Sequence, residues 1–206
     1  MLTQLSRWYP RGVRLTAADI AYIRANYVTL DELCAGRRDE TPPEMRRLID
    51  EGFLPRPSYV LEDGTEMFPA DYFRLADDAG GPEAVRAHFA QRLQEAGGDD
   101  LEPVWRAYLA GIYGVCLRDV TPETIVRKAR LVTSLCELLV LARPADAEWR
   151  GQLRAEVDEL DELEREFSPD YDRNEERFGR KPTRDLLIAA ARERYPDVFS
   201  SELAAR

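Results

Sequence analysis

Residues 56–73, RPSYVLEDGTEMFPADYF, decide how the first part of the chain folds. Apolar and polar residues alternate on both sides of the dipeptide Asp63-Gly64, which favours a two-residue turn between two antiparallel strands. Pro57 restricts the residue before it to an extended conformation. The stretch therefore predicts a β-hairpin over residues 58–68.

The residues before the hairpin predict short helices with recognisable ends. Thr16, Thr29 and Thr41 stand where N-cap residues are expected, and the last two are followed at capping-box spacing by a glutamate. Gly36 and Gly52 stand where the second and third helices would stop. The predicted order is therefore helix, turn, helix and then hairpin.

The dipeptide Gly80-Gly81, followed by Pro82, is the best candidate for a domain boundary, because these residues interrupt regular structure. Beyond it, apolar residues recur at helical spacing to about residue 194. We predict a mostly α fold in which a winged-helix-like unit, residues 1–80, packs on a helical bundle, residues 81–206, as one compact body. Three aromatic residues at the base of the hairpin are expected to be buried against the bundle: Phe68, Tyr72 and Phe73.

Within the bundle, residues 101–117 are apolar on nearly every side, which predicts one central, buried helix. Gly111 and Gly114 weaken such a helix relative to alanine. We expect them to allow a neighbouring helix or a ligand to approach closely. Residues 146–167 are amphipathic, with five large residues expected to face inward: Trp149, Leu153, Val157, Leu160 and Phe167.

Charge and cysteine content indicate a soluble cytoplasmic protein. The net charge of −10 opposes nonspecific attraction to nucleic acid or to an anionic membrane. The three cysteines are far apart and form no C-x-x-C pair, which is typical of reduced thiols. The first residues contain no apolar leader, and the longest uncharged run, residues 107–117, is too short to span a bilayer. We expect no membrane partner.

Two short stretches, YVTLDEL at 27–33 and LIDEGFLP at 48–55, resemble the winged helix-turn-helix of MerR-type regulators. The resemblance implies DNA binding through the second helix of that motif and the hairpin. Residues 27–75, however, carry six arginines, no lysine and eleven acidic residues. Because phosphate contacts need basic side chains, nucleic acid is an unlikely partner. Arg46 and Arg47 either contact DNA or form a solvated helix face, and we favour the solvated face.

Three longer stretches resemble a family of unknown function that is encoded in actinobacterial natural-product gene clusters. They are LPRPSYVLEDGTEMFPADYF at 54–73, WRAYLAGIYGVCLRDVTPETIVRKARL at 105–131 and DELEREFSPDYDRNEERFGR at 161–180. The resemblance implies a role in specialised metabolism. It implies no particular reaction and assigns no role to any residue.

Motifs of the common cofactor and nucleophile sites are absent from the sequence. There is no G-x-S-x-G, no phosphate-binding loop and no G-x-G-x-x-G, so the cofactor is unknown and nothing indicates a nucleotide or a flavin. His88 is the only histidine, which gives no support to a metal site. Residues 158–166 are rich in carboxylates, and four of them flank an apolar stripe: Asp158, Glu159, Asp161 and Glu162. We interpret them as a solvated helix face, with a carboxylate-only magnesium site as the alternative.

The catalytic candidates are polar residues of the most apolar helices, Tyr113, Cys116 and Lys128. A buried lysine with a lowered pKa can act as a base or an amine nucleophile. Alternatively, Lys128 reaches the surface beside Arg127 and Arg130, and this is the interpretation we favour. Cysteine in an apolar helix is usually a small packing residue, which is the alternative for Cys116.

Further polar and aromatic residues are candidates for ligand binding at the hairpin, on the central helix and in the loop after residue 167. They are Glu66, Asp71, Tyr72, Tyr108, Arg118, Asp172, Arg173 and Arg177. In the loop, an arginine–carboxylate network that only holds the chain in place is the favoured alternative.

Together these observations favour a cytosolic protein of natural-product biosynthesis that binds a small molecule or a biosynthetic partner protein, as an accessory protein or a small enzyme. The sequence does not decide whether it is an enzyme. The alternatives are a MerR-like, metabolite-responsive transcriptional regulator and a non-catalytic scaffold.

Overall fold

The computed structural model describes residues 14–37, 40–175 and 181–200. The chain is mostly helical with one small antiparallel sheet, which confirms the predicted fold class. The first part contains α1 (Ala17–Asn26), β1 (Val28–Thr29), α2 (Leu30–Cys34), α3 (Pro42–Asp50), β2 (Tyr59–Val60), β3 (Glu66–Phe68) and α4 (Arg74–Ala79).

The second part is helical throughout its regular structure. It begins with a 3₁₀ turn (Pro82–Ala84) that leads into α5 (Val85–Glu95). Then come α6 (Leu101–Leu109), α7 (Ile112–Cys116), α8 (Pro122–Val140) and α9 (Ala147–Leu163). A π-helical segment (Arg184–Ala189) continues as α10 (Ala190–Arg194), and α11 (Pro196–Phe199) follows. No helix in the described ranges is long and apolar enough to cross a membrane.

The predicted threonine caps form at the helix starts. The hydroxyl oxygens of Thr16 and Thr29 each accept the backbone N–H three residues later, at 3.2 Å, and both complete a capping box. Thr41 also caps its helix, but Glu44 does not close the predicted box. Its carboxylate pairs with Arg47 instead.

The predicted hairpin is confirmed and β3 is the centre of the sheet. β2 pairs with β3 in antiparallel register, with Tyr59 opposite Met67. On its other edge, β3 pairs with β1, which places Val28 opposite Phe68. Gly64 has a φ of +84°, a conformation that glycine adopts without steric cost, so the chain reverses direction there.

The base of the hairpin is buried in a core that also contains bundle residues. Phe68, Tyr72 and Phe73 are all buried, and the Tyr72 hydroxyl donates a hydrogen bond to the Pro55 carbonyl at 2.6 Å. The same cluster includes Phe89 of α5 and residues of α6 and α8. The division of the chain at residue 80 stays a prediction, but apolar packing is continuous across it.

The predicted single helix over residues 101–117 is wrong, because the chain breaks between α6 and α7 at Gly111. Gly111 has a φ of +73°, and a Cβ atom there would lie 2.5 Å from the carbonyl oxygen of Arg56. The Arg56 N–H donates to the Leu109 carbonyl at 2.9 Å, so the strand that leads into the hairpin lies directly against the break. The predicted close approach at Gly111 is therefore correct, but the approaching group is the backbone of Arg56 and Pro57, just before the hairpin, and not a helix or a ligand.

A second core joins α8, α9 and the carboxy-terminal helices. The five residues predicted to face inward from residues 146–167 are all buried. Leu153, Val157 and Leu160 are fully inaccessible, and Leu135 of α8 is inaccessible opposite them. The amphipathic pattern of α9 therefore predicts its packing correctly.

Replacement of Gly111 by alanine tests the contact between the helix break and the hairpin. We expect Gly111→Ala to lower the free energy of unfolding by about 3 kcal/mol, because left-handed backbone strain adds to a clash with fixed backbone atoms. Urea denaturation measures the change.

Two other glycines provide matched controls for this substitution. Gly52 shares the left-handed backbone, at φ +79°, but has open space at the Cβ position, so Gly52→Ala should cost only about 1 kcal/mol. Gly151 lies within α9 with open space, and Gly151→Ala should stabilise the protein by about 0.5–1 kcal/mol. A cost at Gly111 no larger than that at Gly52 would contradict the inferred contact.

Candidate functional site

A cavity of about 1050 Å³ lies between the hairpin, the bundle and the loop after α9. One wall is the face of α8 between residues 125 and 137, and another is the break between α6 and α7. Ser58 and Tyr59 of the hairpin, residues 167–172 and residues 181–183 complete the lining. Most of this lining is apolar.

Lys128 is a largely buried charged residue of the lining, and it forms an ion pair with Glu164, which lies behind it. The Lys128 Nζ atom lies 2.8 Å from Glu164 Oε1, with side chains 15% and 0% exposed. The Thr183 hydroxyl donates to the same carboxylate oxygen at 2.5 Å. Lys128 and Thr183 line the cavity, whereas Glu164 does not. The other carboxylate oxygen, Oε2, is buried and has no hydrogen-bond partner among the described residues.

Helix geometry explains why these two charges meet. Lys128 stands three residues after Ile125 and three before Leu131, both buried, so it lies on the inward face of α8. Glu164 stands four residues after Leu160, which extends the buried stripe of α9. Because α8 and α9 pack through these stripes, two oppositely charged side chains face each other in the interior.

A short antiparallel bridge holds Glu164 beside the end of α7. Leu117 and Glu164 are paired there. The Arg118 N–H donates to the Leu163 carbonyl at 3.0 Å, and the Arg165 N–H donates to the Cys116 carbonyl at 3.1 Å. Backbone hydrogen bonds therefore position Cys116 and Glu164 on the same side of Lys128.

The electrostatics of this cluster keep its members protonated. Burial alone would lower the pKa of Lys128, but the neighbouring Cys116 and Glu164 outweigh burial and raise it. Burial raises the pKa of the Cys116 thiol, and Lys128 offsets this only in part. Burial, with Cys116 nearby, likewise raises the pKa of Tyr113. At neutral pH the three groups are an ammonium, a thiol and a phenol, all of which donate hydrogen bonds.

These findings correct both interpretations of Lys128. The favoured surface position is wrong, because the side chain is largely buried and paired. The alternative of a lowered pKa is also wrong, because Glu164 stabilises the charged form. Tyr113, Cys116 and Lys128 nevertheless line one cavity, and their role as catalytic residues stays a prediction.

Asp172 also lines the cavity, but its carboxylate is engaged in holding the loop. It accepts hydrogen bonds from the Tyr59 hydroxyl at 2.6 Å and from the Ser168 N–H at 2.9 Å. Burial raises its pKa, and these hydrogen bonds reduce the increase. Nearby, Arg173 forms an ion pair with Asp185 at 3.2 Å. These contacts of Asp172 and Arg173 fit the favoured interpretation, in which the loop residues hold the chain in place. Arg177 lies outside the described residues.

Three other candidates surround a small void of about 20 Å³, which has room for about one water molecule. They are Asp71, Tyr72 and Tyr108. Asp71 lies 3.6 Å from Arg165 and accepts the Val120 N–H at 3.4 Å. Burial, and secondly the charge of Asp71, raise the pKa of Tyr108. A metabolite does not fit this void as the side chains stand.

The remaining candidates, Glu66 and Arg118, lie away from both spaces. Glu66 forms an ion pair with Arg46 at 3.4 Å. Arg118 is exposed, and its backbone rather than its side chain takes part in the bridge to α9. The structure therefore brings four of the eleven predicted site residues to the large cavity, and these are Tyr113, Cys116, Lys128 and Asp172.

Glu164 and Thr183 are the members of the cluster that the sequence interpretation missed. Glu164 is not among the four carboxylates that flank the apolar stripe, and its spacing from Leu160 places it on the stripe itself. A charged residue at a stripe position is a sign of a buried partner. Thr183 has no comparable sign, because its contact with Glu164 depends on tertiary structure.

No cluster of three or more metal-ligating side chains occurs in the described residues. Residues 71–196 match the model of a family of unknown function, DUF6058. The chain belongs to this family. No curated protein and no solved structure matches it. The DUF6058 region contains the whole Lys128 cluster but not the hairpin residues Ser58 and Tyr59.

Removal of one partner of the buried ion pair should destabilise this DUF6058 protein more than removal of both. We expect Lys128→Met to lower the free energy of unfolding by about 3 kcal/mol, because Glu164 would keep an uncompensated buried charge. The double variant Lys128→Met/Glu164→Gln leaves no charge and retains an acceptor for Thr183. The double variant should recover most of the lost free energy of unfolding, as measured by urea denaturation. If it is as unstable as Lys128→Met, the charge-pairing role is contradicted.

Proposed function

We propose that the protein binds an apolar small molecule in the large cavity. The observation that carries the proposal is the cavity itself, which has a volume of about 1050 Å³ and a mostly apolar lining that includes Lys128. Ligand sites in proteins have this character, with typical volumes of about 300–1000 Å³. A pure scaffold needs no such space, so the cavity favours binding over scaffolding.

The protonation states favour a role as hydrogen-bond donor over a role as nucleophile. A thiol with a raised pKa and an ammonium paired with a carboxylate are both poor nucleophiles at neutral pH. If the protein is a small enzyme, its cavity side chains stabilise negative charge or supply a proton. If it is an accessory protein, the same donors orient the ligand.

We propose that this activity belongs to natural-product biosynthesis in the cytoplasm, with a biosynthetic enzyme as a second partner. The setting rests on the sequence resemblance of residues 54–73, 105–131 and 161–180. The last two stretches contain Cys116, Lys128 and Glu164, so the resembling segments supply the polar cluster. Thermal shift assays with intermediates of the neighbouring pathway test the setting, and stabilisation by none of them would contradict it.

Binding of a neutral, polarity-sensitive dye, N-phenyl-1-naphthylamine, tests the proposed activity. We expect saturable binding with an increase in dye fluorescence. Ala129 is an exposed residue of α8 that lines the cavity, so Ala129→Trp should fill part of the space and weaken binding at least tenfold.

Ala155 is the matched control, since it is an exposed alanine of α9 that does not line the cavity. Ala155→Trp should leave dye affinity unchanged, and thermal denaturation checks that both variants fold. Absence of saturable binding, or equal loss in both variants, would count against the proposal.

The alternative of a MerR-like regulator keeps one favourable observation, the helix–helix–hairpin order with its three-stranded sheet. Against it, the basic side chains of α3 are engaged with carboxylates. Arg46 pairs with Glu66 of the hairpin, and Arg47 pairs with Glu44 and Glu51, both at 2.6 Å. These acids lie on the surface that would approach phosphate.

We therefore expect no sequence-selective DNA binding in gel-shift assays at low salt with promoters from the gene's own neighbourhood. The double variant Arg46→Ala/Arg47→Ala should behave as the unmodified protein does. Selective binding that this double variant abolishes would instead establish the regulator.

A further inference from the structure

The Lys128 ammonium has donor capacity that its protein partners do not use. An ammonium carries three N–H donors. Within the described ranges, Lys128 Nζ pairs with Glu164 at 2.8 Å and has the Cys116 thiol as a neighbour. Its side chain is part of the cavity lining, whereas Glu164 lies behind it. One N–H therefore remains for a group inside the cavity.

The charge of Lys128 is already balanced, and this limits what that group can be. Glu164 compensates the ammonium at 2.8 Å in the interior. A ligand carboxylate beside Lys128 would be a second negative charge with no second buried cation, and an uncompensated charge in an apolar site is costly. A neutral acceptor needs only the single N–H that is available.

The other cations of the lining lie at the rim and have partners of their own. Arg130 is exposed and its guanidinium donates to the Ala96 carbonyl at 2.8 Å. Lys181 is 57% exposed and lies 3.7 Å from Glu175. Neither provides a buried positive charge that would hold an acidic ligand inside.

We infer that the cavity takes a neutral, largely apolar molecule that carries a carbonyl group, and that the carbonyl oxygen accepts a hydrogen bond from Lys128. This inference rests on the proposed small-molecule binding and specifies its ligand class. The thiol of Cys116 and the phenol of Tyr113, both protonated, add no negative charge near the carbonyl oxygen. Ketones, esters and amides with extended apolar portions all meet these requirements.

Three naphthalene probes test this assignment. The ketone is 6-propionyl-2-(dimethylamino)naphthalene, whose emission shifts to longer wavelength when its carbonyl accepts a hydrogen bond. The hydrocarbon analogue has a propyl group in place of the propionyl group. The acid is 6-(dimethylamino)-2-naphthoate. Affinities are measured by fluorescence titration with the full chain.

The ratio of ketone affinity to hydrocarbon affinity should fall about tenfold from the unmodified protein to Lys128→Met/Glu164→Gln, since one charge-assisted hydrogen bond is lost. Bound-ketone emission should move to shorter wavelength, and hydrocarbon affinity should not fall, because methionine makes the lining more apolar. The single variant Glu164→Gln leaves the ammonium unbalanced, so it should bind the acid more tightly than the unmodified protein does. Circular dichroism checks the folding of each variant.

An unchanged affinity ratio in the double variant overturns the carbonyl assignment while leaving small-molecule binding intact. Tighter binding of the acid than of the ketone by the unmodified protein also overturns it. If neither the ketone nor the hydrocarbon binds, the proposed function itself fails and the ligand class fails with it. The outcomes of the two proposals are thus distinguishable.

Discussion

The buried contact between Lys128 and Glu164 is the constraint on which the architecture of the site depends. Two charged groups leave water at a free-energy cost that only a close partner and further hydrogen bonds offset. Glu164 Oε1 receives both Lys128 and Thr183, so one carboxylate oxygen joins α8 to the start of the carboxy-terminal segment. The backbone of Glu164 pairs at the same time with Leu117. Any shift of α9 along α8 would therefore break several polar contacts together.

The next residue extends this constraint from the bundle to the hairpin unit. The Arg165 guanidinium donates to the carbonyls of Leu117 at 2.8 Å and Arg118 at 2.9 Å. It also lies 3.6 Å from Asp71, just after the hairpin, and its Cζ atom lies 5.5 Å from the centre of the Tyr27 ring. Glu164 therefore contacts α8, whereas the adjacent Arg165 contacts the hairpin unit. Together the two residues fix the hairpin relative to α8. The cavity lies between the elements that they hold.

Local features were predictable from the sequence, and features that depend on distant contacts were not. The hairpin, the threonine caps and the apolar stripe of α9 depend on residues close in the chain, and all of them form. Two details differ: residues 61–65 connect the strands instead of a two-residue turn, and Glu44 does not close its capping box. The break at Gly111 depends on the Arg56 carbonyl, more than fifty residues away, so periodicity alone predicted an unbroken helix. Lys128 was identified as a candidate, but its burial required the position of Glu164. The spacing between Glu164 and Leu160 predicts that Glu164 lies on the buried stripe. No sequence pattern predicts its contact with Thr183.

Stability alone does not account for a lysine at this position. A pair of apolar side chains of similar volume would pack between α8 and α9 at least as favourably, because buried ion pairs rarely exceed hydrophobic replacements in stability. What an apolar pair lacks is a hydrogen-bond donor in the lining of a mostly apolar cavity. Glu164 lies behind Lys128 and holds the proton on the amine, so the donor persists at neutral pH without leaving a net charge in the site. The arrangement thus combines a strong hydrogen-bond donor with a neutral interior, and a neutral acceptor on an apolar molecule matches both properties.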